Sequence, residues 1–328
     1  MQPHATTLRY VLITPARNEG RYIENTIRSV AQQTVLPSRW VIVNDGSTDD
    51  TGVIAARYSN QYNWITSLDL PPRETRNFAA KVHAFRAGQA AMAGAEYDII
   101  GNLDADVTLD PDHFAFLMSK FQEDPDLGVA GTVFREDDGY NSETDSFEGQ
   151  NYVSGQCQIF RRACYEDIGG YFPSEIGCID WLAVTTARMR GWKTRSFREK
   201  WFHHHRPLGT ATHGRVRKGF DYGRKDYQMG AHPLWELIRC TYQTTKRPYL
   251  IGGIAIFTGY AVGPLIRRRR IVSKSLMKFH RREQMMKLRA ILWSMARCRK
   301  IDNFCLLPVT TARRSSPVRN GEDRASLA

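Results

Sequence analysis

Several common signatures are missing from this chain of 328 residues. Its six cysteines form no C-x-x-C pair and no metal-site spacing, which argues against a disulfide framework and favours reduced thiols in a cytosolic compartment. Neither G-x-G-x-x-G after a strand nor G-x-x-x-x-G-K-[ST] occurs, which argues against a dinucleotide dehydrogenase and a P-loop NTPase. The N-terminus has no basic segment followed by an apolar core, so we expect no signal peptide.

Acidic residues are nearly absent from one segment near the C-terminus. Residues 267–300 hold 13 Lys and Arg but a single acid, Glu283, so this segment carries 13 − 1 = +12, which equals the net charge of the whole chain. The remainder is therefore formally neutral, and the basic segment is predicted to dock on something anionic. Few aromatic residues interleave with its charges, which argues against nucleic acid as the partner.

Short apolar strands alternate with helical patterns in the first half of the chain. This alternation predicts βαβ units and an α/β fold with a mostly parallel sheet. Ser47 or Thr48 is expected to N-cap the second helix. The predicted strands are Tyr10–Thr14, Trp40–Val43, Ile65–Leu68, Tyr97–Leu103, Gly128–Phe134 and Cys157–Arg161, and the predicted helices are Tyr22–Gln33, Val53–Tyr58, Asn77–Gly94, Pro111–Glu123, Arg162–Ile168 and Asp180–Met189.

Polar residues follow three of these strands. Arg17 and Glu19 follow the first, Asp45 the second, and Asp104 and Asp106 the central one. The carboxyl ends of strands in an open α/β sheet form the ligand-binding edge, so a nucleotide site is expected there. Acids at i and i+2 on extended chain point the same way, and their repulsion favours a Mg²⁺ or Mn²⁺ ion between or beside them. A solvated turn with two acids is the alternative interpretation of this spacing alone.

The motifs together resemble the family 2 glycosyltransferases, which have a GT-A fold and use nucleotide-diphosphate sugars. The resemblance covers roughly residues 8–210 and fits enzymes of bacterial polysaccharide assembly. It rests on Pro15-Ala16-Arg17-Asn18-Glu19, Val43-Asn44-Asp45-Gly46-Ser47-Thr48-Asp49, Lys81, Leu103-Asp104-Ala105-Asp106, Gly169-Gly170-Tyr171-Phe172, Asp180-Trp181 and Arg188-Met189-Arg190-Gly191-Trp192.

This resemblance implies roles for individual residues. Asp45 would bind the edge of the base, and Lys81 would lie near the base or the diphosphate. Asp104 would contact ribose or metal, and Asp106 would hold Mn²⁺ or Mg²⁺ on the diphosphate. The nucleotide pocket would be lined by Pro15, Arg17 and Glu19.

The family's acidic pair, whose second member is the general base, is incomplete in this chain. Ile179 precedes Asp180 where the family has Glu, yet Asp180 remains the candidate base, with Glu175 as the fallback. The implied mechanism is a single displacement with inversion, in which the base deprotonates the acceptor hydroxyl. The Q-x-x-R-W motif of processive synthases is absent, which favours transfer of one sugar per acceptor.

A run of three histidines follows the last block of the resemblance. Side chains on extended chain alternate, so His203, His204 and His205 cannot all face one site. Related folds complete the metal site with a histidine from this region. His204 is the residue we expect to do so, and His205 is the alternative.

The C-terminal third has the pattern of a membrane-associating region. Residues 248–266 are uncharged, and a helix over 274–297 would place Lys274, Lys278, Arg281, Arg282 and Arg289 in one sector. A single membrane crossing would leave the basic segment outside, against the positive-inside rule, so a re-entrant or interfacial segment is expected. The predicted divisions are a glycosyltransferase domain at 1–225, a helical membrane-associating region at 226–300 and a disordered tail at 301–328.

The predicted protein is an inverting glycosyltransferase at the cytoplasmic face of the plasma (inner) membrane, peripheral or monotopic. It would extend a lipid-linked saccharide in cell-surface or exopolysaccharide biosynthesis. One alternative is transfer to polyprenyl phosphate, whose phosphate would need Arg206, Arg215 or Arg217 at the site. A second is a non-catalytic scaffold that binds sugar nucleotides or lipid, suggested by the incomplete acidic pair.

Overall fold

The chain divides into two compact units in the computed structural model, which describes residues 8–72, 78–174, 176–206, 215–245 and 249–309. One unit holds residues 1–207 with 308–314, and the other holds 208–307 with 315–328. The expected boundary was after residue 225. A helix over Arg215–Gln228 crosses that position and packs along another helix of the second unit, so the division falls earlier.

The first unit is built on an eight-stranded mixed sheet with the order β3-β2-β1-β4-β7-β6-β8-β5. The four strands from β3 to β4 are parallel, which confirms the predicted βαβ arrangement. β7 runs antiparallel to both of its neighbours, so the sheet as a whole is mixed. The strands are β1 (Tyr10–Ala16), β2 (Arg39–Asn44), β3 (Ile65–Asp69), β4 (Ile99–Leu103), β5 (Val107–Thr108), β6 (Leu127–Glu136), β7 (Cys157–Arg161) and β8 (Lys193–His204).

Helices cover both faces of this sheet. Along β1, Tyr10 and Leu12 enter one apolar core, while Val11 and Ile13 enter the other. Burial on both faces explains why the central strands are continuous apolar runs instead of alternating patterns. The helices of this unit are α1 (Ile23–Ala31), α2 (Thr51–Gln61), α3 (Phe78–Ala90), α4 (His113–Glu123), α5 (Ser142–Asp145), α6 (Arg162–Asp167) and α7 (Ile179–Met189).

β8 contains an irregularity close to the histidine run. Thr132 of β6 lies opposite Phe197, but the next residue, Val133, lies opposite Trp201, so residues 198–200 leave the ladder between the two strands. Pairing resumes beyond the bulge and continues to His204, which lies opposite Val107 of β5 and Glu136 of β6. The end of β8 is therefore held on both sides.

The second unit is helical. Its helices are α8 (Arg215–Gln228), α9 (Pro233–Thr244), α10 (Ile251–Leu265) and α11 (Lys274–Ala296), and the last two match the expected apolar and basic segments. Glycines allow α8 and α10 to touch backbone to backbone, because a Cβ on Gly223 would lie 1.9 Å from the carbonyl oxygen of Ile256. None of the described helices has the length and apolar character needed to cross a bilayer.

Candidate active site

The loops that follow β1 and β2 are tied together by hydrogen bonds. The backbone N–H of Asn18 donates to Ser47 Oγ at 3.0 Å, and the Asn18 side chain accepts from the N–H of Thr48 at 2.8 Å. Ser47 and Thr48 therefore do not cap α2, and that prediction was wrong. Instead Asp49 accepts from the N–H of Thr51, the first residue of α2, and the short side chains of the motif fix one loop against the other.

Residues predicted to line the nucleotide pocket come together at the carboxyl ends of β1 and β2. Pro15 lies opposite Val43 in the ladder, and the N–H of Asp45 donates to the carbonyl of Ala16 at 2.8 Å. The Asp45 side chain is buried at this edge. Gly46 follows with a φ of 65°, and a Cβ there would lie 2.7 Å from the Cα of Pro72, so glycine is required.

Asp104 is engaged by two donors at the end of β4. Lys81 Nζ donates to Asp104 Oδ1 at 2.5 Å, and Asn102 Nδ2 donates to the same oxygen at 3.1 Å. Enclosure by protein raises the pKa of the Asp104 carboxyl above its ordinary value, with the charge of Lys81 acting in the other direction. The structure thus brings together two residues that the sequence assigned to the donor site from separate elements.

Asp106 faces a buried histidine. His204 Nε2 lies 3.5 Å from Asp106 Oδ2, and His204 Nδ1 lies 2.8 Å from Glu136 Oε1. Burial acts to raise the pKa of Asp106, but the hydrogen bond and charge of His204 outweigh it and the pKa is lowered. Burial acts to lower the pKa of His204, but the hydrogen bonds with Asp106 and Glu136 outweigh it and the pKa is raised.

Arg206 links the same site to the first loop. Its guanidinium donates to Glu19 Oε2, and its Nε lies 3.8 Å from Asp106 Oδ2. The guanidinium also lies over the ring of Tyr22, with 5.8 Å between its central carbon and the ring centroid. Glu19 and Asp106, predicted from different strand ends, are therefore bridged by one cation.

Asp180 lies at the start of α7, as expected for the candidate base. The Tyr152 hydroxyl donates to Asp180 Oδ2, and the N–H of Gly155 donates to the same oxygen at 3.2 Å. Burial and the neighbouring charge of Asp180 raise the pKa of Tyr152 well above its ordinary value, so the phenol stays protonated and can donate. The neighbouring Trp181 is buried.

One short segment connects Asp180 with the central strand. Asn102 Nδ2, which donates to Asp104, also donates to the carbonyl of Gly155 at 2.5 Å. Gly155 in turn donates its N–H to Asp180. Gly155 thus contacts the candidate base through its N–H and contacts Asn102, which donates to Asp104, through its carbonyl.

Two supporting residues were not identified from the sequence. Glu136 is the last residue of β6, but its acidic surroundings in the sequence predict a loop. Tyr152 lies in a segment without regular structure. The fallback base Glu175 and the side chain of Arg215 lie outside the described residues.

The residues at this edge fit a hard divalent ion of the Mn²⁺ or Mg²⁺ type. Asp106 offers a carboxylate, and His204 has its second ring nitrogen on Glu136, the arrangement that orients a metal-ligating histidine. Asp104 is held by Lys81 and Asn102, so the three predicted ligands do not form one compact cluster. Among the described residues, such a cluster is formed by Asp137, His203 and His205.

Comparisons with known sequences identify a family to which the N-terminal half of the chain is similar. Residues 11–171 match the sequence model of the family described as Glycosyl transferase family 2. Poly-beta-1,6-N-acetyl-D-glucosamine synthase of Staphylococcus aureus is 24% identical over 196 residues, 54% of this chain and 45% of the synthase. The 4,4'-diaponeurosporenoate glycosyltransferase of S. aureus is 33% identical over 119 residues, 36% of this chain and 29% of that enzyme. The chain thus spans less than half the length of these relatives.

Solved structures share the fold. The mannosyltransferase PcManGT from Pyrobaculum calidifontis, in complex with GDP-Man and Mn²⁺, matches with a TM-score of 0.55 and 19% identity over 82% of this chain and 90% of its own. S. aureus TarS 1–349, in complex with UDP-GlcNAc, matches with a TM-score of 0.50 and 17% identity over 90% of this chain and 89% of its own. The similarity confirms the predicted GT-A fold.

Proposed function

Because this chain belongs to glycosyltransferase family 2 over residues 11–171, we propose that it transfers one sugar from a nucleoside-diphosphate sugar to a glycan acceptor, with inversion. The acceptor is a lipid-linked saccharide in cell-surface or exopolysaccharide synthesis. The observation that carries the proposal is the convergence at one sheet edge of Asp45, the Lys81–Asp104 pair and the Asp106–His204 pair. The name of the Staphylococcus aureus synthase supports a glycan product, and the UDP-GlcNAc bound to TarS supports a nucleotide-sugar donor.

Donor binding is assigned to the ends of β1, β2 and β4. Pro15, Arg17 and Glu19 line the nucleotide pocket, and the buried carboxylate of Asp45 accepts from an N–H of the base. Asp104 binds ribose or the metal. Lys81 lies 2.5 Å from Asp104 and supplies a positive charge beside the diphosphate.

Asp106 and His204 are assigned to a Mn²⁺ or Mg²⁺ ion, with Asp104 beside them. When bound, the ion offsets negative charge that develops on the departing nucleoside diphosphate. Arg206 is also assigned to offset this negative charge. Its guanidinium lies at the same sheet edge, against the carboxylates of Glu19 and Asp106. Mn²⁺ in the mannosyltransferase structure supports the choice of ion.

Asp180 is assigned as the general base. Its carboxylate takes the proton of the acceptor hydroxyl as the hydroxyl oxygen attacks the anomeric carbon and the bond to the diphosphate breaks. The Tyr152 hydroxyl and the Gly155 N–H fix the oxygen that they contact. With no enzyme nucleophile, one displacement inverts the anomeric centre.

Donor turnover by the full-length chain tests this proposal. UDP-, GDP- and dTDP-sugars would be screened with Mn²⁺ for release of nucleoside diphosphate. Asp106→Asn is expected to abolish metal-dependent release. Asp180→Asn is expected to lower kcat by roughly 10²- to 10⁴-fold with donor affinity intact.

Asp110→Asn is the matched control, because Asp110 is an exposed acid four residues beyond Asp106. Its turnover should equal that of the wild type. A donor that binds without turnover would favour the scaffold alternative. Absence of any donor binding would contradict the site assignment. Transfer to polyprenyl phosphate instead of a lipid-linked saccharide would favour the other alternative.

We also propose that the second unit docks on an anionic bilayer at the cytoplasmic face of the plasma membrane. On α11, Lys274, Lys278, Arg282 and Arg289 are exposed, while Arg281 is partly buried and donates to the carbonyl of Gly230. Large apolar side chains of the same unit are exposed as well: Tyr249, Leu250, Ile251, Ile254, Phe257, Leu265, Ile266, Leu292, Trp293 and Met295. Exposed apolar side chains and exposed cations in the same unit match the chemistry of an anionic lipid surface.

Co-sedimentation with vesicles tests the docking proposal. Lys278→Ala combined with Arg282→Ala should weaken binding to phosphatidylglycerol vesicles by roughly tenfold or more, since each surface cation contributes about 1 kcal/mol. Arg9→Ala combined with Arg39→Ala removes the same charge from exposed positions of the first unit and should leave binding unchanged. Equal losses in both double variants would contradict a localised docking surface.

A further inference from the structure

A second group of metal-ligating side chains lies at the end of β8. One ligand atom from each of Asp137, His203 and His205 lies within 4.8 Å of the other two. His203 Nε2 is 2.9 Å from Asp137 Oδ1, and the rings of His203 and His205 have centroids 4.5 Å apart. Two imidazoles and a carboxylate therefore converge on one small volume.

Strand geometry creates this convergence. Side chains alternate along extended chain, so His203 and His205, the residue after β8, share one side. His204 points the other way, toward Asp106 and Glu136. β6 lies beside β8 and ends at Glu136, which brings Asp137, the next residue, to the side of His203. The group is thus distinct from the pair proposed to bind the donor's metal.

His205 is already fixed in place. Its ring stacks on Tyr22, with centroids 5.7 Å apart and an interplanar angle of 10°. Its Nε2 lies 2.6 Å from Thr108 Oγ1. A ring oriented by a hydrogen bond at one nitrogen is typical of a metal-ligating histidine.

We propose that Asp137, His203 and His205 bind a transition-metal ion of the zinc class, with water completing the coordination. Imidazole ligands favour such ions, whereas carboxylate and water ligands favour Mg²⁺ and Mn²⁺. The donor's metal site has one imidazole, that of His204, so the two sites differ in their ratio of imidazole to carboxylate ligands. This site does not depend on the proposed glycosyltransferase activity.

Occupation of the site would act on its neighbours along the chain. The ion would join the end of β6 to the end of β8 through Asp137 and His203. The residues beside these two are Glu136 and His204, which already contact each other at 2.8 Å. A bound zinc-class ion would therefore also help to orient the His204 imidazole, which faces Asp106.

Zinc titration of the full chain tests the proposal. Metal-free protein would be titrated with Zn²⁺ against a chromophoric chelator, and Co²⁺ would be added as a spectroscopic probe of the ligands. The wild type should bind one Zn²⁺ at this site. His203→Ala and Asp137→Asn should each weaken it by roughly tenfold or more, since loss of even an outer-shell partner weakens metal binding by about 10- to 100-fold. The Asp137 side chain is 64% exposed, so its substitution is expected to leave the fold intact, which circular dichroism checks.

Two control variants separate this site from others. His83→Ala removes an exposed histidine of α3, and Asp106→Asn removes the ligand proposed for the donor's metal. Both should retain the zinc affinity and the Co²⁺ spectrum of the wild type. Zinc binding that survives His203→Ala but is lost in Asp106→Asn would overturn the proposal. So would wild-type protein that binds no Zn²⁺, because His203 and Asp137 would then be an ordinary surface ion pair.

Discussion

The Asp180 carboxylate is oriented by the hydroxyl of Tyr152. Tyr152→Phe removes this donor and leaves the ring in place, so we expect kcat to fall by roughly 10- to 100-fold with the donor KM unchanged. A hydrogen bond to a charged group contributes about 1.5–3 kcal/mol, which corresponds to this range. Steady-state kinetics with the identified donor checks the split between kcat and KM.

Tyr62→Phe is the matched control for this variant. Tyr62 is the residue after α2 and lies away from the candidate base. Its ring stacks against that of Tyr58, with 6.3 Å between the centroids. Its kcat and KM should equal the wild-type values. A Tyr152→Phe enzyme with wild-type kcat would show that Tyr152 does not position the base.

His113 is fully buried at the start of α4, between the rings of Phe114 and Phe202. Neither ring nitrogen has a hydrogen-bond partner among the described residues. Burial lowers its pKa from 6.5 to about 3, so the folded state holds the neutral ring while the unfolded chain gains a proton below pH 6.5. Stability is therefore lost as the pH falls from about 6.5 toward 3.

His113→Leu should remove this dependence on pH. Between pH 7 and pH 5 the wild type should lose about 2 kcal/mol of unfolding free energy through His113, whereas the variant should not. Urea unfolding at the two pH values measures the difference. Identical losses in both proteins would contradict the assignment to His113.

Pairing between β6 and β8 places Glu136 against His204, so this contact depends on the register of the two strands. Glu136→Gln keeps a hydrogen-bonding oxygen but removes the charge. We expect Mn²⁺ affinity to fall by about 10- to 100-fold, the usual effect of losing an outer-shell carboxylate. Electron paramagnetic resonance of free Mn²⁺ during a titration measures it.

Glu123→Gln provides the comparison for this prediction. Glu123 lies exposed at the end of α4, where it pairs with Lys120. Its Mn²⁺ affinity should match that of the wild type. An unchanged affinity in Glu136→Gln would show that Glu136 does not support a metal ligand.

The elements with continuous apolar runs were predictable, because burial on both faces makes β1, β2 and β4 conspicuous. β8 was harder to recognise, since charged residues and a bulge interrupt its pattern. The roles of Ser47 and Thr48 were predicted wrongly, because their partner Asn18 lies in another loop, which local sequence does not reveal. Candidate site residues could be proposed from motifs, but their supporting partners depend on tertiary pairing.

At the scale of the whole molecule, every residue proposed for donor binding and catalysis belongs to the first unit. The second unit depends on close approach of α8 and α10. Gly223→Ala would place a Cβ 1.9 Å from a backbone carbonyl, so we expect the second unit to unfold at lower temperature than in the wild type. Mn²⁺ binding measured on the same sample should persist.

Gly219→Ala, on the same helix, isolates the steric cause. Its Cβ would lie 3.2 Å from the Cβ of Ala255, a far milder approach than the 1.9 Å at Gly223, and both substitutions raise helix propensity equally. Thermal unfolding followed by limited proteolysis should show a smaller shift for Gly219→Ala. Equal shifts in the two variants would contradict the role of the backbone contact.

Residues 198–200 bulge out of the ladder between β6 and β8. The direction of the side chains beyond the bulge therefore does not depend on how many residues the bulge contains. Pairing resumes at Trp201, so β6 and β5, and not the count of preceding residues, decide that His204 faces Asp106. Residues can therefore be inserted or removed here without exchanging the two sides of the strand. We expect a one-residue insertion after Glu199 to preserve metal-dependent turnover, and the same insertion after Phe202 to abolish it.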